Sequence, residues 1–174
     1  MAPVNTPKAR HLADDALTLP TPQRDRRGFL DLALAEVDLA EGQIDAAIAR
    51  TAAHAAEQHV SNPRSNGLED DWDLLVGRAQ ILRDDLDTAN VALARGVERA
   101  RVRGARRILW PLARVWADVA EARGDAALAR SLRDEAREHA SAIAASLASV
   151  GLADPFRALP EVRATVKGSP WRGP

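Results

Sequence analysis

The sequence predicts an all-α fold on three observations. Alanine, leucine and arginine are abundant, and all three are good helix formers. Strand formers are sparse, with no tyrosine and two phenylalanines in 174 residues. Apolar residues recur three and four apart over long stretches, the spacing of one helix face. The length suffices for one domain with a real core. Residues 1–28 read as a flexible arm, residues 29–164 as a helical repeat domain, and residues 165–174 as a disordered tail.

The arm holds Pro3, Pro7, Pro20 and Pro22, which break helices and favour extended chain. Between them "KARHLADDAL" has the makings of one short helix, docked or mobile. From Phe29 the stripe Leu30, Leu34, Val37 and Ala40 begins a helix that Gly42 ends. A second helix follows on Ile44, Ala47, Ile48, Ala52, Ala55 and Ala56, until the loop "SNPRSNG". The next pair has Trp72, Leu75, Ala79 and Leu82 on one helix, then Leu86, Ala89, Leu93, Val97 and Ala100 on the other. In the third pair Pro111 either kinks the first helix or marks its first turn. Its second helix carries Leu128, Leu132, Ala136, Ile143, Leu147 and Val150.

The joints "AEGQIDAAIA", "RDDLDTANVA" and "EARGDAALAR" align at a spacing of roughly 40 residues, the range of helical-hairpin repeats. Asp45, Asp87 and Asp125 are the expected N-caps. Small residues at the crossings, Ala127 among them, let the paired helices approach. One hairpin cannot bury its own apolar face, but stacked hairpins share a continuous core. The expected architecture is therefore a right-handed α-solenoid of three antiparallel hairpins. "LADPFRALPEVRATV" closes its open end, with Asp154 and Pro155 starting a short helix, Phe156 and Leu159 packing inward, and Pro160 turning the chain.

Net charge of −1 supplies no field for nucleic acid or an anionic membrane. No run is apolar enough to span a bilayer, and no apolar signal core opens the chain. Having no cysteine excludes disulfides and thiolate metal sites and suits a reducing cytosol. No phosphate-cradling motif and no G-x-S-x-G elbow occurs, so neither an enzyme nor a bound cofactor is expected. His54 and His59, five apart on one helix, diverge rather than share a metal. Glu69, Asp70, Asp71 and Asp73 open the second hairpin, where acids favour the helix dipole.

"RGVERARVRGARR" sets Arg95, Arg99 and Arg103 in one exposed row, with Arg106 and Arg107 beyond Gly104. Such guanidinium forks suit carboxylates, so the row reads as a solvated face or a contact for an acidic partner. Trp72, Trp110 and Trp116 fall on the first helices of their pairs, as core or, if exposed in a groove, as binding anchors.

The joints resemble tetratricopeptide repeats, which pair two antiparallel helices across a Gly-Asp-like turn. "RRILWPLARVWADVAEARGDAALARSLRDEAREHASAIAASL" followed by "DPFRALPEVRA" resembles the C-terminal repeats of large bacterial signalling ATPases, including MalT-like and LuxR-type regulators and cyclase-linked ATPases. The likeness covers residues 29–164 and is most specific over the last third. Nothing resembling their nucleotide-binding, winged-helix or cyclase parts accompanies it, and the initial methionine suits a free-standing repeat protein. The resemblance implies a non-catalytic scaffold in cytoplasmic signalling or transcription control. Its expected partner is another protein with an acidic surface, or a second copy of the chain, and Arg78, Arg95, Arg99, Arg103, Arg107, Trp110 and Arg114 are the candidate contacts. The alternative is a sensor holding a small anionic ligand on groove arginines such as Arg78, Arg107 and Arg114.

Overall fold

The computed structural model describes residues 6–18, 24–61 and 68–169. All regular structure among them is helical. Helix α1 (Thr6–Thr18) precedes a pair made of α2 (Arg24–Ala40) and α3 (Ile44–Ser61). Helices α4 (Glu69–Leu82) and α5 (Leu86–Arg103) make the second pair, and α6 (Arg106–Ala122) and α7 (Ala126–Ser146) the third. A 3-10 turn leads to α8 (Ala153–Ala158) and α9 (Pro160–Lys167). Residues 62–67 of the expected loop and residues 170–174 of the expected tail, Trp171 among them, lie outside the described residues.

Each pair packs against itself and against the next. The first helices touch in sequence, α2 with α4 and α4 with α6, and each second helix meets the next pair, α3 with α4 and α5 with α6. Leu34, Leu39, Leu75, Leu93, Leu112 and Leu132 are fully buried along this series. Buried alanines fill the crossings, including Ala89, Ala113, Ala117, Ala129 and Ala136. Ala127, expected at a crossing, faces solvent instead. The neighbouring turn position, Ala129, carries the contact.

Two of the three expected caps, Asp45 and Asp87, fall inside their helices. Gly42 and Gly124 take left-handed backbone, with φ of 74° and 86°, and end α2 and α6. Asp84 occupies the same conformation, with φ of 62°, and does the glycine's work in the second joint. That register makes Asp85 the N-cap of α5, accepting from the Thr88 amide at 3.0 Å. Asp87 and Asp45 sit inside the first turns, where they still complement the helix dipole. Asp125 caps α7 as expected, accepting from the Leu128 amide at 2.9 Å.

One helix start differs from the sequence expectation, that of α2. Helix α2 begins at Arg24, ahead of Phe29. Helix α6 begins at Arg106 and runs through Pro111, so the proline sits in its second turn at the loss of one backbone hydrogen bond. The arm also contributes structure. Arg10 on α1 reaches across to Asp38 on α2 at 2.6 Å and to Glu41, just past the end of α2, at 2.7 Å, while Arg50 on α3 meets the other oxygen of Asp38 at 2.7 Å. The hydrogen bonds to Glu41 and Asp38 push the Arg10 pKa up.

Helices α8 and α9 cover α7. Pro160 is the first residue of α9, where a missing amide costs nothing. Ala153, Val162 and Thr165 are the buried residues of this cap. Phe156 is half-buried, its ring edge-on to Trp110 at 6.5 Å. Leu159, expected inside, is 46% exposed, because the turn into α9 rotates it outward. Helical packing continues past residue 164: Thr165 is buried and α9 ends at Lys167.

Candidate functional site

The arginine row and the acidic group meet. Antiparallel packing of α4 and α5 brings the start of one beside the end of the other, so Arg103 falls over Asp70 and Arg95 over Asp73. Arg99 lies between them, with Nε 3.1 Å from Asp70 and Nη2 paired to Asp73. Arg103 also approaches Glu69 at 3.8 Å. Arg107, from the first turn of α6, holds Asp71 with two parallel bonds of 3.0 and 2.7 Å. Four guanidinium groups thus face four carboxylates. The sequence reading treated the acids as helix caps and the arginines as a solvated or partner-facing row.

The acids carry most of the burial. The Asp70 side chain is 0% exposed and Asp73 4%, whereas the arginines keep their heads half in water. A buried carboxylate needs its charge met and its lone pairs filled, and forked guanidinium groups do both. Hydrogen bonding raises the Arg95 pKa through Asp73 and the Arg107 pKa through Asp71. The approach depends on Gly96: a Cβ there would lie 3.0 Å from both the Asp73 Cβ and a Leu112 methyl.

The remaining candidates are also engaged. Arg78 on α4 reaches α2, with Nη1 3.0 and 2.9 Å from the Glu36 carboxylate oxygens. Arg114 is buried beneath α9, and burial lowers its pKa. Its Nη2 donates to the Ser169 carbonyl at 3.5 Å. Its Nε has no acceptor among the described residues. The cavity beside it, about 10 Å³, borders Asp118, Arg133 and Thr165 and has room for about one water. Trp110 is half-buried against Phe156. Trp72 is core, stacked on His54 at 4.3 Å, and the Trp116 indole donates to Asn90 Oδ1 at 2.8 Å.

A different surface was not singled out from sequence. Between α7 and α9 lies a cleft of about 270 Å³. Ala140, Ala144, Val162 and Val166 give it apolar walls, and Arg163 and Lys167 stand at its edge. The signal was present in "EVRATVK", where Val162 and Val166 are one turn apart and Arg163 and Lys167 follow each of them.

No family model, curated protein or solved structure matches this chain. Among the described residues no group of acidic, histidine or cysteine side chains is placed to hold a metal ion. No described helix is long and apolar enough to cross a membrane.

Proposed function

We propose that the chain is a non-catalytic protein-interaction module of tetratricopeptide-like hairpins, working in bacterial cytosolic signalling or transcription control. The observation that supports this most is the series of first helices, α2 against α4 against α6. Helical repeats stacked in this way present one extended face to a partner. The resemblance of residues 106–164 to the repeats of bacterial signalling ATPases points the same way.

The row Arg95, Arg99 and Arg103 is not where we place the acidic partner. Its charge is answered by Asp70 and Asp73. A sensor of small anions is the second reading, favoured by the buried Arg114 with its open Nε. Against it, Arg78 and Arg107 are held by Glu36 and Asp71.

The test is affinity capture of the full chain from native cytosol, with cross-linking and mass spectrometry. The module reading predicts a stoichiometric protein cross-linked to the helical faces. Absence of any partner, together with a dose-dependent rise in melting temperature with phosphate, citrate or acetate, would favour the sensor.

A further inference from the structure

We infer that the cleft between α7 and α9 docks a partner helix bearing large apolar and acidic side chains on one face. The inference rests on the interaction-module reading and names the site and chemistry of the contact.

The guanidinium groups of Arg95, Arg99, Arg103 and Arg107 each meet a carboxylate. Arg163 and Lys167 meet none among the described residues, although both border an apolar cavity. Arg157, also on the border, pairs among the described residues with Asp154 alone, an exposed neighbour three residues back. Cations left unanswered beside an apolar surface are complementary to an acidic, apolar occupant.

Residues 159, 162, 163, 166 and 167 follow the i, i+3, i+4, i+7, i+8 pattern of one helix face. Leu159 is the N-cap residue of α9, and on the helix itself that face reads Val, Arg, Val, Lys. Val162 forms the buried base, while Leu159 and Val166 are exposed. Val150 and Leu152, just before α8, are exposed too. Apolar walls supplied by two helices, with Val166 exposed on one of them, suit a third helix laid along α9 with leucine-sized anchors.

The probe is a fluorescein-labelled, amidated helical peptide of about sixteen residues, with leucines three and four apart and glutamates beside them. Two control peptides replace the glutamates by lysine or the leucines by serine. Fluorescence anisotropy is read on the full chain. The glutamate peptide is expected to bind, more weakly as salt rises, and both controls to lose binding. The double variant Arg163→Glu, Lys167→Glu should weaken it by about tenfold or more. Ser141→Trp, an exposed residue at the cleft wall, should weaken it similarly by filling the space. Arg106→Glu, exposed outside the cleft, should leave it unchanged. Circular dichroism and melting curves establish that each variant is folded.

Equal binding of the lysine peptide, or unchanged binding by the double variant, overturns the proposal. So does binding of sodium decanoate with no binding of the peptide, which would assign the cleft to a small anionic amphiphile. Self-association abolished by the double variant would assign it to a second copy of the chain. A captured partner cross-linked only away from α7–α9 sinks this site and leaves the module reading standing.

Discussion

Between α4 and α5 two glycines leave no room for a Cβ, Gly77 against Leu93 and Gly96 against Asp73, beside two sealed carboxylates and three arginines. In the α6–α7 pair, Ala117, Ala120, Ala129, Leu132 and Ala136 belong to one buried apolar cluster. Its cross-helix ionic group, Arg133 with Asp118 and Glu121, lies nearer solvent, where Glu121 is 58% exposed. Both pairs join two helices through three residues. They differ in where the charges end up. Charges at the rim contribute little, because water already solvates them. Charges sealed under a helix must be paired, and removing one partner is costly. The same residue types therefore have different roles in neighbouring hairpins.

The apolar pair should show the largest single loss. Leu132 is fully buried, and Leu132→Ala should cost about 2–5 kcal/mol through lost burial and a residual cavity. Urea denaturation measures it. In the same hairpin Ala129→Trp should overpack by about 1–3 kcal/mol or more, whereas Ala127→Trp on the exposed side should stay within about 0.5 kcal/mol.

The ionic comparison comes next. Asp70→Ala should cost about 3 kcal/mol, at the lower end for a broken buried pair, because Arg99 and Arg103 can turn their heads to water. Asp118→Ala should cost less, since Asp118 keeps some exposure and Glu121 remains to meet Arg133. Equal losses at the two positions in denaturant melts would remove the distinction between the hairpins.

The glycine contacts give a smaller effect. A Cβ at Gly77 would fall 2.5 Å from the Leu93 side chain, which is fully buried. Gly77→Ala should destabilise by about 1–2 kcal/mol, since overpacking exceeds the gain in helix propensity of about 1 kcal/mol. Leu93→Ala in the same chain should remove the penalty of the added methyl. At the turn the sign reverses. Asp84→Gly should stabilise by about 0.5–1 kcal/mol, because glycine takes left-handed backbone without a Cβ clash.

The smallest expected effect concerns acid. Hydrogen bonding by Arg133 lowers the Glu121 pKa below the usual carboxylate range. Its contribution to stability is complete above the unfolded pKa and disappears as pH falls through the folded one. Glu121→Gln should therefore lower the neutral plateau slightly, leave stability at the acid end unchanged, and so flatten the acid limb between them. Tryptophan fluorescence across an acid titration reads this.

Much of the fold was legible because helix periodicity and turn glycines act locally. Leu34, Leu75, Leu93 and Leu132 were readable as core from spacing alone, and all are buried. Leu82 and Val150 continued their stripes in sequence yet are exposed, since each lies at an end where no neighbour covers it. The second joint was misread because its left-handed residue is an aspartate rather than a glycine. The site was less legible for a physical reason. Arg99 and Asp70 are 29 positions apart, and only the antiparallel register of α4 and α5 brings them together. A charge row on one helix looks solvated until the facing helix is known. The cleft beside α9 escaped notice because half of it belongs to α7.

The central claim is that the arginine row closes the α4–α5 hairpin from within. A double-mutant cycle between Asp70 and Arg99 tests it most directly, with Asp70→Ala, Arg99→Ala and the double variant compared in urea denaturation. The account predicts a coupling of about 1 kcal/mol or more between the two positions, since they share a buried contact. Additive losses, with coupling indistinguishable from zero, would contradict it and return the row to solvent and its partners.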